Sequence, residues 1–415
     1  MAFQFRTAEP GDLDRLVELH RLSYPLSELD AEGRRDNFAD NPRCSLEDVL
    51  VVTDGGDLIA CLIAYRFTQY QEEIEIPVVG IGSVAVAPDR RREGVAGFMI
   101  GKALELFEEQ GVPACILFPF EHRFYRYMGW GYAGEIRRYH ILTSQVADYQ
   151  DATEEENIEV ELLSEAQLSQ LMAFYDVQAR RFNGLLRRGE RYWAERLAAP
   201  PRQVALARFS GEIIGYIIYS LNEDRPGNLF VQKLVVHEWM APTLDARDAL
   251  LGFLARQSDQ IESLEIYLPP DEPLHLWLDD PRSRSRAMMQ RIYTETATIG
   301  LGWMYRLVNL KSAFESGRRF NSVRGELTVD MEDERLGDRR LTLKFDGSAA
   351  LADEAVSKPK RLISGSVDIL SQLFCGYMSA EQAYEQDLLD FEGQDTVEFC
   401  QRAFWLPPPR CYDLF

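Results

Sequence analysis

The sequence has few of the features that mark metal proteins, secreted proteins and membrane proteins. Its six cysteines are scattered over 415 residues without a CxxC pair or a metal-type spacing, and its five histidines form no HxH or HExxH pair. We therefore predict no metal site. Cys61 and Cys115 lie within apolar runs, where a free thiol behaves as a small buried hydrophobe. This cysteine usage is typical of the reducing cytoplasm.

Long apolar runs are also missing. No window approaches 18 uninterrupted apolar residues, so we expect no membrane span. The stretch Met1–Leu16 has no basic segment followed by an apolar one, and we expect no signal peptide. Neither a GxSxG turn nor a P-loop lysine is present, which leaves no local motif for a serine hydrolase or a P-loop nucleotide-binding protein.

Positive charge is scarce. The chain has 45 Lys and Arg against 67 Asp and Glu, and its net charge of −22 argues against nucleic acid or an anionic membrane as the main partner. The same charge would favour a cationic substrate, although many soluble proteins are acidic for solubility alone. The composition is that of a folded protein, and 415 residues suggest about two to four domains.

Residues 81–134 carry the pattern on which the functional prediction depends. A strand-like apolar run, Ile81–Ala87, is followed by a basic, glycine-bearing turn at Arg90–Gly97, an amphipathic helix to about Gln110 and a second apolar run at Ala114–Pro119. A strand, turn and helix in this order can hold a phosphate on backbone N–H groups at the helix N-terminus. Because a buried strand follows the helix, we expect the two strands to be parallel.

The turn fits the pattern [Q/R]-x-x-G-x-[G/A]. Gly94 and Ala96 leave room for a phosphate to approach the backbone. The N–H groups from Arg92 to Gly97 would point at it, and the helix dipole adds favourable charge. We expect Arg90, Arg91 and Arg92 to supply positive charge to the phosphates.

A second, divergent copy of this arrangement follows. Gly211–Tyr219 repeats the apolar pattern of Gly56–Tyr65, and a helix at Asp248–Arg256 and a strand at Leu264–Leu268 come after it. The sequence HEWMAP at residues 237–242 stands where the basic glycine turn would be. We therefore predict one phosphate site per chain.

From about Met304 the sequence predicts a small α+β third domain, which gives domains at 1–150, 151–303 and 304–415. Residues 403–415 are aromatic and contain three consecutive prolines. Chain termini are normally frayed and polar, so we expect this tail to dock against the protein. The expected elements of the third domain are strands at Gly325–Met331 and Arg340–Phe345 and helices at Ile363–Cys375 and Ser379–Gln386.

The stretch VAVAPDRRREGVAGFM, residues 84–99, resembles motif A of the GNAT acetyltransferases, and the whole chain is similar to the Eis (enhanced intracellular survival) family. The YxxxGxG segment at 125–131, the second copy without motif A and the aromatic last residue share in this likeness. It implies an α/β (α+β) fold of tandem GNAT-like domains with mixed central sheets and a sterol-carrier-protein-like third domain. It also implies acetyl-CoA as cosubstrate and a homo-oligomer, with a hexamer suggested.

The resemblance also implies roles for individual residues at the cofactor. Backbone groups of the first strand would meet the pantetheine, the turn would hold the pyrophosphate, and two residues after the next strand would flank the other side. Glu93 departs from the family, which often has a basic or neutral residue there, and we expect its side chain to point to solvent. The implied cofactor-binding residues are Val84, Ala85, Val86, Arg92, Glu93, Gly94, Val95, Ala96, Gly97, Phe120 and Glu121.

Tyr125 matches the tyrosine that protonates the leaving thiolate in this family. A tyrosine pKa of roughly 10 lies within about two units of a thiol pKa of roughly 8.5, so proton donation is only mildly uphill and a dry site assists it. Tyr127 and Tyr132 are the alternatives. Tyr127 would face elsewhere on a short helix.

Phe415 matches the family's C-terminal residue, whose α-carboxylate serves as general base. A carboxyl with a pKa near roughly 3.5 is a poor base for an ammonium near roughly 10. Burial would raise the pKa of the carboxyl, a water would relay the proton, or the amine would enter partly neutral. His122 is the alternative base, and Asp413 is a candidate for attracting a cationic substrate.

Together these observations predict an N-acetyltransferase that acts on a primary amine of a cationic substrate by direct attack on acetyl-CoA. The substrate would be an aminoglycoside-like polyamine, a small diamine or a protein lysine, and the family likeness favours the first. The alternative function is that of a non-catalytic CoA- or lipid-binding carrier, which would keep motif A as a CoA-sensing site.

Overall fold

The fold is that of a computed structural model of the chain. The model forms two compact units, one made of Met1–Gly134, Arg180–Arg187 and Gly302–Phe415, and one made of Glu135–Ala179 and Arg188–Leu301. The residues that the structure describes are 3–27, 29–152, 157–198, 202–224, 227, 232–317, 320 and 323–415.

The N-terminal part of the first unit alternates strands with helices. Gly55 and Gly56 both adopt positive φ, +62° and +96°, which closes the predicted tight hairpin. The elements are β1 (Gln4–Thr7), α1 (Leu13–Ser23), α2 (Ala31–Ala39), β2 (Val49–Asp54), β3 (Asp57–Gln71), β4 (Ile74–Val86), α3 (Val95–Glu109), β5 (Ala114–Leu117), α4 (His122–Tyr127) and β6 (Gly131–Tyr132).

The middle of the chain repeats this order with variations. The elements of the second unit are β7 (Glu135–Leu142), β8 (Ile158–Leu162), α5 (Leu168–Ala179), α6 (Glu190–Ala198), β9 (Gln203–Phe209), β10 (Glu212–Glu223), β11 (Gln232–Met240), α7 (Leu244–Ala255), β12 (Ile261–Leu268), β13 (Met288–Met289), β14 (Tyr293–Thr294) and β15 (Thr298–Leu301).

The C-terminal part returns to the first unit. The helix predicted at Ile363–Cys375 is wrong in its first residues, because Leu362–Ser366 pairs with a neighbouring strand and the helix begins only at Val367. The elements are β16 (Met304–Leu307), α8 (Leu310–Glu315), β17 (Arg324–Glu332), β18 (Arg339–Asp346), β19 (Ala350–Glu354), β20 (Leu362–Ser366), α9 (Val367–Cys375), α10 (Ala380–Glu385), β21 (Asp390–Glu392) and α11 (Thr396–Phe404).

Two mixed sheets organise the two units. The described strands of the first lie in the order β1-β2-β3-β4-β5-β16-β6, and those of the second in the order β15-β7-β12-β11-β10-β9-β8. The predicted parallel pairing of β4 and β5 is confirmed. The predicted core face of α3 is confirmed as well, because Val95, Met99, Ala103 and Phe107 are buried in one cluster.

Two strands lie in sheets other than those expected from the predicted domain limits of 1–150, 151–303 and 304–415. Residues 135–142 form β7, which pairs with β12 and β15 in the second sheet. Residues 304–307 form β16, which inserts between β5 and β6 in the first sheet. These pairings join residues far apart in sequence, and a change of composition along the chain does not indicate them.

A third sheet belongs to the first unit. Its described strands have the order β19-β18-β17-β20-β21, and α8, α9 and α11 contribute side chains to the core beside it. Aromatic rings fill this core, with Phe314 against Phe374 at 5.4 Å and Phe320 against Phe345 at 5.1 Å between ring centroids. The region is α+β, as predicted from residue 304 onward.

A short segment of the first unit, residues 180–187, holds the tail. Its backbone extends the edge of β3, since Tyr70 donates to the carbonyl of Leu185 at 2.8 Å and Gly184 donates to that of Tyr70 at 2.8 Å. The buried Asn183 side chain donates to the carbonyl of Pro407 at 2.9 Å, and Arg410 N–H donates to the carbonyl of Asn183 at 2.7 Å. The docked tail is thus confirmed.

The second unit contains a buried charge cluster on β11. Glu238 is fully buried and accepts hydrogen bonds from Arg188 (2.8 Å), from the Tyr216 hydroxyl (2.5 Å) and from Arg196. Burial by itself would raise the pKa of the Glu238 carboxyl, but the two guanidinium groups and the hydrogen bonds lower it to about 2. The folded state therefore requires Glu238 to be ionised.

We expect Glu238→Gln to lower the free energy of unfolding by about 3–5 kcal/mol at neutral pH, because two buried guanidinium groups lose their counter-charge. The pKa of Glu238 lies below its ordinary value of 4.5, so this stabilisation is complete above about pH 4.5 and is lost as the pH falls towards 2. Thermal unfolding across this pH range measures both effects. Asp280→Asn, which removes an exposed ion pair with Arg282, should leave the melting temperature nearly unchanged; equal shifts for the two variants would contradict the prediction.

Candidate active site

The two central strands of the first sheet separate at the candidate site. β4 and β5 pair only as far as Ile81 and Leu117, and β4 then continues to Val86 without β5 beside it. A β-bulge lies just beyond this point, where the single residue Leu62 of β3 spans Ser83 and Val84 of β4. The two strands therefore leave an open cleft at this end of the sheet.

The bulge also reverses which residues face the helix side of β4. Ser83 adopts a positive φ of +48°. Before it, Val79 and Ile81 belong to the core that contains α3, and after it Val84 and Val86 pack against the same core. An extra residue in a strand of period two must produce this switch.

Side chains contact the β4 backbone along the cleft. The Tyr24 hydroxyl donates to the carbonyl of Val84 at 3.0 Å, and Arg91 Nε donates to that of Val86 at 3.4 Å. Ala85, between them, lies opposite Cys61 of β3. Alternation along the strand thus turns the carbonyls of Val84 and Val86 away from the β3 pairing.

The turn before α3 has the backbone of an anion cradle. Arg92 and Gly94 both adopt positive φ, +68° and +83°, and Gly94 caps the helix without a side-chain hydrogen bond. A Cβ built on Gly94 or Gly97 would meet no atom within 4 Å, so open space lies over these residues. Free helix N-terminal N–H groups facing open space suit the phosphates of a nucleotide cofactor.

The charges of the turn differ from the prediction. Arg90 pairs with Asp54 at 2.6 Å and with Glu93 at 2.8 Å, so its charge is balanced within the protein. The hydrogen bond that Arg90 donates to Glu93, followed by the one that it donates to Asp54, raises the pKa of Arg90. Glu93 is exposed, as expected, and its carboxylate also pairs with Arg90. Because Asp54 and Glu93 balance the charge of Arg90, this residue offers less positive charge to a phosphate than expected. Arg91 and Arg92 are exposed.

The residues after β5 lie at the open end of the cleft. Phe120 is 94 % exposed, which is unusual for a phenylalanine and leaves its ring available to a ligand. Glu121 caps α4, and its carboxylate accepts the N–H of Arg123 at 3.2 Å.

Tyr125 lies on α4 and is 6 % exposed. Its ring meets those of Phe124 and Trp130 edge-on, at centroid distances of 5.0 and 6.0 Å. Burial raises the pKa of Tyr125 to about 12. Burial, followed by interaction with Tyr125, also raises the pKa of Tyr24, so the two phenols lie within electrostatic range of each other.

The alternative tyrosines have other surroundings. Tyr127 is exposed and lies under the guanidinium of Arg335, 4.5 Å from the ring centroid. Tyr132 lies in β6 with the guanidinium of Arg126 5.4 Å from its ring. As expected from helical spacing, Tyr125 and Tyr127 face different directions.

Phe415 packs directly on β4. A Cβ on Gly80 would lie 2.8 Å from the Phe415 ring, and a Cβ on Gly82 would lie 3.0 Å from its carbonyl carbon, so both positions need glycine for this contact. The Phe415 ring contacts Phe67 and Phe118 edge-on at 5.0 and 5.4 Å. Its main chain therefore reaches the residue before the bulge.

The other candidates have less prominent positions. His122 is half-buried, 6.0 Å from the Tyr132 ring. Asp413 is 2 % exposed and so cannot offer a surface charge to a substrate.

Among the described residues there is no group of three or more His, Cys, Asp or Glu that could hold a metal ion. No helix in the described part of the chain is long and apolar enough to cross a membrane.

Sequence reasoning missed three residues that support the cleft. Tyr24 binds Val84, Asn37 of α2 donates to the Ser83 hydroxyl at 3.3 Å, and Arg43 donates to the carbonyl of Leu414. Each acts on residues at least 46 positions away along the chain. No local pattern could have indicated these contacts.

The second copy keeps the bulge but not the cradle. Ile218 and Tyr219 of β10 pair with Glu238 and Val236 of β11, which leaves His237 as the extra residue. The helix after β11 is capped by Thr243, whose side chain accepts the N–H of Ala246 at 3.2 Å. A helix start that is capped in this way has one free N–H fewer for an anion.

Comparisons with known proteins agree with this geometry. Residues 4–133 and residues 184–292 each match a family model described as an acetyltransferase (GNAT) domain. A search of curated proteins gives no match.

Solved structures match the whole chain, and each comparison covers 100 % of both chains. A GCN5-related N-acetyltransferase from Anabaena variabilis has a TM-score of 0.83 at 20 % identity. A probable N-acyltransferase from Enterococcus faecalis has 0.83 at 21 %, and Eis1 from Mycobacterium abscessus has 0.77 at 18 %. The chain therefore belongs to the GNAT acetyltransferases, carries two GNAT domains in tandem and has the fold of the Eis family that its sequence resembles.

Proposed function

We propose that this acetyltransferase moves the acetyl group of acetyl-CoA to a primary amine of a small cationic substrate. The observation that carries the proposal is the set of three features along β4: an open glycine turn at its end, the buried Tyr125 in the core against which Val84 packs, and the main chain of Phe415 on Gly82. The net charge of −22 supports a cationic substrate, and an aminoglycoside-like polyamine remains the favoured class over a diamine or a lysine.

The N–H groups from Arg92 to Gly97 would bind the pyrophosphate, with Arg91 and Arg92 adding charge from the surface. The outward-facing groups of Val84 and Val86 would bind the pantetheine, and their backbone would serve better than that of Ala85, which lies opposite Cys61. The exposed ring of Phe120 would contact the other side of the cofactor, while Glu121 acts through the start of α4.

In the reaction, the amine nitrogen attacks the thioester carbonyl, a C–N bond forms and the C–S bond breaks. Tyr125 gives its phenol proton to the departing thiolate, and the α-carboxylate of Phe415 accepts the ammonium proton directly or through a water. Backbone N–H groups of β4 would stabilise the oxyanion. The role of Phe415 requires it to be the last residue of the protein.

The GNAT matches speak against the alternative of a non-catalytic carrier. We also propose, from the family likeness, that the third sheet resembles a sterol carrier protein, that the protein is a cytoplasmic homo-oligomer with a hexamer favoured, and that the limits 1–150, 151–303 and 304–415 approximate three functional parts.

We expect Tyr125→Phe to lower kcat by roughly 10²–10⁴-fold, with little change in KM for acetyl-CoA, because it removes only the acid. Because the pKa of Tyr125 is about 12, ionisation of this phenol should not reduce kcat below about pH 11. Thiol release measured with a saturating polyamine gives both values. Tyr127→Phe is the matched control and should keep full turnover; unchanged turnover in Tyr125→Phe would exclude Tyr125 as the acid.

Adding two residues after Phe415 should abolish turnover and leave CoA binding intact, because the carboxylate moves away from Gly82 while the cradle is untouched. Thiol release and calorimetric titration with CoA separate these quantities. The control is the same addition at the N-terminus. A C-terminally extended protein with full activity would refute the base assignment.

Gly94→Ala should raise KM for acetyl-CoA by roughly 10-fold, because a residue with a Cβ strains the backbone at φ +83° by about 1–2 kcal/mol and crowds the phosphates. Gly211→Ala is a matched control, since Gly211 has φ +86° and its Cβ would also meet no atom within 4 Å. Steady-state kinetics at varied acetyl-CoA measures the effect. Equal KM values for the two variants would show that the turn does not bind the cofactor.

A further inference from the structure

A fully buried ion pair lies inside the first unit, away from the cleft residues described above. Arg306 on β16 has no solvent exposure, and its Nη2 contacts both carboxylate oxygens of Asp333 at 2.8 and 2.9 Å. Asp333 follows β17 and also accepts the N–H groups of Arg335 (2.9 Å) and Leu336 (3.2 Å). Removing two charges from water costs free energy that their attraction often only offsets, so stabilisation need not be the main role of this pair.

Of the other nitrogens of Arg306, Nη1 donates to the carbonyl of Leu307 at 2.8 Å, and Nε binds the end of the helix that carries Tyr125. Nε donates to the carbonyl of Met128 at 2.9 Å, and the N–H of Met128 donates to the carbonyl of Tyr125 at 3.0 Å. Gly129 has φ +91°, and a Cβ there would lie 2.9 Å from Arg306 Nε. Glycine at this position lets the guanidinium approach the helix end.

Arg306 reaches Tyr125 by a second route through Trp130. The guanidinium carbon lies 5.5 Å from the centroid of the Trp130 ring. Trp130 in turn donates its backbone N–H to the carbonyl of Tyr125 at 3.0 Å and packs against the Tyr125 ring at 76°. No described residue hydrogen-bonds the Tyr125 hydroxyl in the structure, so the packing of the ring sets the position of the hydroxyl oxygen.

We propose that Arg306, held by Asp333, is a positioning residue for Tyr125: it fixes the carbonyl of Met128 and the ring of Trp130 so that the tyrosine hydroxyl points at the leaving sulfur. This inference rests on the proposed role of Tyr125 as the acid. It ties β17 of the third sheet to proton donation at the cleft of the first sheet. Proton transfer depends steeply on distance and angle, so a small rotation of the ring is enough to slow it.

The test is Arg306→Met with Asp333→Asn, made in the Tyr125 protein and in Tyr125→Phe. The pair of substitutions removes both buried charges together and keeps an oxygen for the N–H groups of Arg335 and Leu336. With Tyr125 present, kcat should fall by about 10²-fold while KM for acetyl-CoA stays within a few-fold. In the Tyr125→Phe background the same pair should cause no further fall, because there is no acid left to position.

The same fold-loss in both backgrounds would overturn the inference, because the pair would then act on folding or on another part of the site. Full turnover in Tyr125→Phe alone would instead overturn the proposed acid, which distinguishes the two failures. The control Lys344→Gln with Asp353→Asn removes an exposed ion pair of the third sheet and should leave kcat unchanged.

If the variant with Arg306→Met and Asp333→Asn does not fold, Trp130→Phe tests the positioning role instead. It keeps an aromatic ring beside Tyr125 and removes part of the surface beneath Arg306. A several-fold loss of kcat with Tyr125 present, and none in Tyr125→Phe, supports the positioning role; an equal loss in both backgrounds contradicts it.

Discussion

The bulge at Ser83 is the constraint on which the first unit depends. It places a non-glycine residue at positive φ in the middle of a sheet, at a cost of about 1–3 kcal/mol that the surroundings must offset. Pairing with β3 on both sides and the contact from Asn37 hold it in place. Beyond it, the carbonyls of Val84 and Val86 turn away from β3, and β5 has already ended.

The tail depends on the same strand. Gly80 and Gly82 precede the bulge, and the lack of side chains there makes the space that Phe415 fills. Asn183 and Arg43 both donate hydrogen bonds to carbonyls of the tail, those of Pro407 and Leu414. The tail follows the part of the chain that forms the third sheet. Asp333, which comes directly after β17 of that sheet, accepts a hydrogen bond from Arg306, and Arg306 binds the end of the helix that carries Tyr125. The proposed acid and the proposed base are thus both supported by residues from the last part of the chain.

The second unit shows that the bulge and the open glycine turn are separable. It keeps an extra residue at His237 but follows it with the buried Glu238 cluster and with a helix start capped by Thr243. At β11, charged side chains pair with one another inside the protein. After β4, open space lies over the glycine turn. The helix after β11 thus has a side-chain cap at its start, whereas the helix after β4 has none.

The sequence by itself determined the strand, the glycine turn, the helix start, the hairpin at Gly55 and the spacing that sets Tyr125 apart from Tyr127. These features are local, because backbone conformation and helical periodicity act over a few residues. Only the tertiary structure decided that Asp54 pairs with Arg90, that β7 lies in the second sheet and β16 in the first, and that residues 362–366 form a strand. It also decided that Tyr24 binds the carbonyl of Val84 and that Arg306 binds the carbonyl of Met128. Those outcomes depend on partners dozens to hundreds of residues away, and hydrophobic periodicity within one segment carries no information about which distant segment it will meet.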